Sequence, residues 1–89
     1  MRSRATSDFW RLYNRLPPSI QKSAKQAYAR FRQNPNHPSL HFKKVHPTQQ
    51  IYSVRVSKGY RALGVREDDA IVWFWIGSHE DYDRLLRDL

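Results

Sequence analysis

Cysteine is absent from the 89 residues, which excludes disulfides and thiolate metal sites and suits a reducing compartment. Long apolar runs are absent too. The longest, from Ala70 to Ile76, falls well short of the roughly 20 residues a membrane-spanning helix needs. The opening MRSRATSDFW is basic and lacks the apolar centre of a secretory signal. A soluble cytoplasmic protein with no membrane partner is expected. Glycine is scarce, and Gly59, Gly64 and Gly77 lie too far apart for a phosphate-cradling loop.

The scarcity of acid is confined to one part of the chain. Residues 1 to 66 carry fourteen of the sixteen Lys and Arg against the single acid Asp8, a balance of +13. Residues 67 to 89 carry seven acids against Arg84 and Arg87, a balance of −5. A body so basic attracts polyanions through counterion release and long-range steering. Nucleic acid, ribosomes and anionic lipid are the partner classes that fit this charge.

A chain of this length forms one domain, residues 1 to 89. Ser7 is expected to cap a helix in which Phe9, Leu12, Tyr13 and Leu16 recur on one face, and Pro17 and Pro18 stop it. A second helix starts on Pro18 with Ile20, Ala24, Ala27, Tyr28 and Phe31 as its apolar stripe, while Lys22, Lys25 and Arg30 face out. The NPNHP stretch, Asn34 to Pro38, ends it.

From Leu40 the period changes to two. LHFKKVH is ambiguous in register because Lys43 and Lys44 are adjacent. IYSVRV alternates cleanly, with Tyr52, Val54 and Val56 on one face and Ile51, Ser53 and Arg55 on the other. Lys58 sits in the SKGY turn before YRALGVR, and Glu67, Asp68 and Asp69 make a polar hairpin loop. AIVWFWI returns as a strand apolar on both faces, as expected inside a sheet. Ser78 then caps a helix with Asp81 three residues on, and Tyr82, Leu85, Leu86 and Leu89 form its core stripe. The expected fold is α+β, in the order α-α-β-β-β-β-α: two N-terminal helices packed on a four-stranded antiparallel sheet, with a C-terminal helix.

That order gives His79 its interest. It stands just past the end of a central strand and at the head of a capped helix, held firmly yet exposed. Arg55, Arg61, Lys43, Lys44 and His46 lie on or beside the neighbouring strands. Metal-free RNA cleavage calls for such a set: a group to take the proton from a 2′-hydroxyl, cations to hold the charge on the phosphorane, and an acid for the departing 5′-oxygen. Zinc is a poorer fit, since Pro35 and Pro38 keep His37 and His41 off a shared helical face and no Cys completes a set with His46. No metal or other cofactor is expected. Trp73, Phe74 and Trp75 read as core before they read as a base-stacking platform.

From Phe9 to Leu86 the sequence resembles toxins of the RelE/ParE superfamily of bacterial type II toxin–antitoxin systems. The residues that carry the resemblance are LP at Leu16 and Pro17, NPNHPSLHFKKV, YSVRVSKGYRAL and WIGSHEDYDRLL. It implies a RelE-like fold, a cognate acidic antitoxin as partner, and action on mRNA in the ribosomal A site. It also implies roles: Arg55 at a catalytic lysine position of RelE members, Arg61 as the phosphate-binding arginine of a GYR motif, His79 at the catalytic histidine of YafQ-like members, and Tyr82 near a functional aromatic. Lys43, Lys44, His46, Lys58, Lys22, Lys25 and Arg30 would supply RNA or ribosome contacts. Two departures stand beside these. The first strand of RelE members is reduced here to MRSRAT at best, and Ser53 replaces a second active-site lysine. The superfamily holds ribosome-dependent mRNA endonucleases and DNA gyrase inhibitors, so three readings stay open: endoribonuclease, gyrase inhibitor, or a catalytically silent RNA-binding module.

Overall fold

The computed structural model describes all 89 residues. Strand β1 (Arg2–Ala5) leads into helices α1 (Ser7–Asn14) and α2 (Pro18–Gln33), and a single 3₁₀ turn (Pro38–Leu40) follows. Strands β2 (Lys43–Lys44), β3 (Ile51–Ser57), β4 (Tyr60–Glu67) and β5 (Ala70–Ser78) come next, and α3 (His79–Asp88) ends the chain. The five strands form one sheet in the order β1-β5-β4-β3-β2, antiparallel except for β1, which runs parallel to β5.

This corrects the expected four-stranded antiparallel sheet. RSRA is four residues long and mostly polar, so neither alternation nor hydrophobicity marks it as a strand. Backbone pairing creates it: the Arg2 N–H donates to the Asp69 carbonyl and the Thr6 N–H to the Trp73 carbonyl, both at 2.9 Å. β1 covers what would otherwise be an open edge of β5, which explains why β5 is apolar on both faces.

The two faces bury different cores. On one, Val54, Val56, Ala62, Ile71, Trp73 and Ile76 pack against Ala27 and Phe31 of α2, and Phe9, Leu12 and Tyr13 of α1, with Leu16 just beyond it, join them. On the other, Ile51 and Leu63 pack with Tyr82 of α3, flanked by Phe74, Trp75, Leu85 and Leu86. A β-bulge reconciles three successive aromatics with two faces: Leu63 opposes Trp75 and Gly64 opposes Trp73, leaving Phe74 as the extra residue. Phe74 and Trp75 therefore both join the α3 side, while Trp73 joins the α1 and α2 side.

Smaller differences have local causes. Thr6, not Ser7, caps α1, its Oγ1 accepting from the Phe9 N–H at 3.2 Å. Tyr28 lies 43% exposed at the margin of the α2 stripe, and Leu89 lies beyond the end of α3, 46% exposed. The expected strand at LHFKKVH shrinks to two residues, because His41 adopts a left-handed conformation (φ 47°) and the ring of His46 turns the chain at Thr48 and Gln49. Ser78 caps α3 as the sequence implies, accepting from the Asp81 N–H at 3.1 Å.

At Gly64 the side chains of β5 leave no room for a Cβ on β4. A Cβ there would lie 2.7 Å from Ile71 Cγ1 and 2.9 Å from Trp73 Cε3. Gly64→Ala is expected to destabilise the fold by about 1 to 3 kcal/mol through overpacking, read as a lower urea midpoint with an unchanged slope.

Candidate functional site

Antiparallel pairing places Arg55 of β3 directly across from Arg61 of β4, and Arg61 directly across from Gly77 of β5. All three lie at the sheet end closed by the Lys58–Gly59 turn, where α3 begins. The His79 N–H donates to the Gly59 carbonyl at 2.8 Å, which pins the head of α3 to that turn. Arg55, Arg61 and His79, far apart in sequence, thus share one corner of the molecule. Two like charges opposed across a ladder cost stability. Neither arginine forms an ion pair with a carboxylate, so an anion arriving from solution would relieve the repulsion.

Arg61 is held in place by backbone. Its Nη1 donates to the carbonyls of Ser57 at 2.8 Å and Tyr60 at 2.9 Å, with a longer contact to Lys58. Nε and Nη2 make no hydrogen bond within the protein and remain for a ligand, in the fork geometry that suits phosphate. Burial, and then the neighbouring Arg55 charge, pull the guanidinium below the usual arginine value; Tyr82 and Asp83 act in the opposite direction. The group stays cationic at neutral pH.

His79 is half-exposed. Its Nδ1 lies 3.1 Å from Asp83 Oδ2 one helical turn on, and its ring packs at 5.5 Å against that of Tyr82. Tyr82 is 6% exposed and belongs to the α3-side core, so packing is its first task. Tyr82→Phe is expected to keep the fold, whereas Tyr82→Ala costs about 3 to 5 kcal/mol in thermal or urea unfolding. Trp75 walls the site on the sheet side: a Cβ at Gly77 would lie 2.7 Å from Trp75 Cζ2, so the indole occupies the space over the residue paired with Arg61.

The remaining candidates divide by position. Lys43 pairs with Ser53 and so shares the face of Arg55, while Lys44 pairs with Tyr52 on the opposite face, which resolves the register the sequence left ambiguous. Lys58 is exposed on the turn beside Arg61. Ser53 is 2% exposed and does not present its hydroxyl at the surface. His46 is already engaged: its Nδ1 accepts from the N–H groups of Thr48 and Gln49, and its Nε2 lies 3.2 Å from the Leu89 carbonyl. Lys22, Lys25 and Arg30 are exposed on α2, across the sheet from His79, and do not join the corner. A cavity of about 430 Å³ between α1 and α2 also opens on that opposite side, lined by Phe9, Trp10, Tyr28, Phe31 and Trp73, away from the paired arginines. No three His, Cys, Asp or Glu side chains converge as metal ligands, and no helix is long and apolar enough to cross a membrane.

The family model of the ParE-like toxin domain matches residues 18–84. Among solved structures, the chain is similar to one of the RelB-RelE antitoxin-toxin complex from Methanococcus jannaschii, with 22% identity, a TM-score of 0.70, and 90% of this chain and 95% of that chain covered. It is also similar to one of the toxin-antitoxin complex RelBE2 from Mycobacterium tuberculosis, with 21% identity, a TM-score of 0.69, and 88% and 96% covered. YafQ from E. coli matches at 11% identity with a TM-score of 0.68, covering 92% of this chain and 98% of that one. At such identities the likeness is one of fold. No curated protein matches the sequence.

Proposed function

The chain belongs to the ParE-like toxin family, and from that premise we propose that it is the toxin of a toxin–antitoxin pair, a metal-independent endoribonuclease that cuts mRNA on the ribosome in the cytoplasm. The observation that carries this reading is the pair of opposed, uncompensated arginines beside a half-exposed histidine. Together they offer two cations for a phosphate and one group able to carry a proton.

In this reading Arg61 anchors the scissile phosphate through Nε and Nη2, and Arg55 stabilises the charge that builds on the phosphorane. His79 exchanges the proton, as base for the 2′-hydroxyl or acid for the 5′-oxygen. Reaction splits the P–O5′ bond and forms the P–O2′ bond; the proton lost by the 2′-hydroxyl is balanced by the one gained at the 5′-oxygen. Tyr82 backs the two reacting side chains. Lys43 and Lys58 extend the cationic corner along the message, and Lys44 lines the sheet edge. Lys22, Lys25 and Arg30, on the far side, grip ribosomal RNA. His46 supports the corner by tying the β2–β3 loop to Leu89.

Two assays separate this reading from its rivals: cleavage of mRNA on translating ribosomes with chelator present, and supercoiling by DNA gyrase. Cleavage insensitive to chelator supports the endonuclease. Blocked supercoiling without cleavage would make the protein a gyrase inhibitor, and RNA binding with neither activity would make it a silent module. Affinity for ribosomes or RNA is expected to fall linearly in log–log terms as salt rises; a flat titration from low to physiological salt would remove the polyanion reading.

The Methanococcus and Mycobacterium structures are of toxins with their antitoxins, and the charge of this chain calls for an acidic counterpart. Such an antitoxin is expected to cover Arg55 and Arg61 or displace α3. A complex that leaves both arginines open and α3 in place would overturn this mode of neutralisation.

A further inference from the structure

Asp83 is the one carboxylate that faces the cationic corner without an evident structural reason to be there. Asp81 lies in the first turn of α3, where its own N–H meets the Ser78 cap, and it pairs with Arg84; Glu80 also lies in the first turn and pairs with Arg84. Asp83 lies past that first turn, where the helix N-terminus no longer favours a negative charge. It stands 3.1 Å from His79 Nδ1 and near enough to Arg61 to influence that guanidinium. In a corner suited to a polyanion, an extra negative charge weakens ligand binding unless it does something else.

We propose that Asp83 is the positioning residue of His79: its Oδ2 accepts the Nδ1 hydrogen and thereby leaves Nε2 as the nitrogen that exchanges the proton. The inference rests on the proposed catalytic role of His79 for its meaning, although the protonation pattern it specifies exists whether or not the protein cleaves RNA. The ring is clamped from three directions. The backbone is held to Gly59, the ring packs at a tilt of 59° against Tyr82, and Nδ1 lies 3.1 Å from Asp83 Oδ2, an ion-pair distance. The spacing from His79 to Asp83 is one helical turn, so both side chains project from the same face of α3.

Two of the other three histidines, His37 and His46, set the contrast. His37 Nδ1 accepts from the Ser39 N–H, and His46 Nδ1 accepts from Thr48 and Gln49. Both of those rings, when neutral, must carry their hydrogen on Nε2. His79 alone has an acceptor at Nδ1, so its neutral ring should carry the hydrogen there. The same chain therefore contains its own reference signals.

The decisive experiment is two-dimensional nitrogen–proton NMR of the imidazole rings at about pH 8, above the ordinary histidine range, with His79 assigned by loss of its signals in His79→Gln. Wild type is expected to show the Nδ1–H form at His79 and the Nε2–H form at His37 and His46. Asp83→Ala should return His79 to the Nε2–H form with the fold intact by circular dichroism, and Asp83→Glu should keep the Nδ1–H form. An Nε2–H signal for His79 in folded wild type, or an unchanged signal in Asp83→Ala, would overturn the inference. These results are read without any activity, so failure of the endonuclease reading would be recognised separately, by the absence of wild-type cleavage.

Kinetics supply the second arm. Asp83→Ala is expected to lower kcat about 10- to 100-fold, the order typical for the outer partner of a functional histidine. KM should hold steady or fall, because a negative charge has left the corner. Asp83→Glu should recover most of the rate. If wild type cleaves and Asp83→Ala cleaves equally well, the positioning role is wrong; a parallel rise of KM at constant kcat would likewise count against it.

Discussion

Arg61→Ala is expected to be among the most damaging substitutions in the molecule, lowering ribosome-dependent cleavage by about 10³-fold. Two losses combine. The fork that would hold the phosphate disappears, and with it the preorganised charge, which needs no rearrangement because Nη1 is already fixed on the carbonyls of Ser57 and Tyr60. The same bonds imply a structural cost at the Lys58–Gly59 turn, so the loss must be separated from unfolding. Arg61→Lys does this: it keeps the positive charge but cannot form the bidentate contact, and it should recover only part of the rate. Single-turnover cleavage with both variants, beside their urea midpoints, gives the answer. Full activity in a folded Arg61→Ala would leave the phosphate anchor unassigned.

His79→Ala is expected to cost about 10²- to 10⁴-fold in cleavage, the usual worth of a positioned proton-transfer group. Its effect on stability should be small, because the ring is half-exposed and its packing partner Tyr82 stays anchored by Ile51 and Leu63. Growth arrest on induction should weaken in step. Retention of full cleavage by folded His79→Ala would end the catalytic role assigned to it, and with it the functional meaning of Asp83.

Much of this arrangement could be read in advance because it rests on local rules. The period-two alternation of IYSVRV places Arg55 opposite the Val54 face, as found, and the Ser78 cap places His79 at a helix head. Arg55, Arg61 and His79 then converge by sheet register alone. What escaped was set by partners distant in the chain. β1 exists because β5 offers it backbone groups, and the bulge at Phe74 exists because two faces had to be filled from one run of aromatics. Lys22, Lys25 and Arg30 read as part of the same basic body, yet the sheet stands between them and His79. His46 reads in the sequence as an RNA or ribosome contact, yet its ring contacts reach a residue at the far end of the sequence. Asp83 is legible from its one-turn spacing to His79, but that spacing alone does not tell it from the other acids of the same helix.

The parallel pairing of β1 with β5 bears on when the cationic corner can assemble. Arg2 pairs with Ala70, about three quarters of the chain away, so the first strand must wait for the last one to emerge. Contacts of such sequence separation form slowly, since loop closure has to precede any gain. The corner itself waits equally long, because His79 enters only after β5. During its own translation the polypeptide therefore holds helices and an incomplete meander but no assembled site. Residues 70 to 79 complete the sheet and carry the histidine, so the edge strand β1, β5 and His79 all depend on the same late segment. The corner therefore assembles late in folding, and the interval before β5 completes the sheet is one in which a partner could capture the chain.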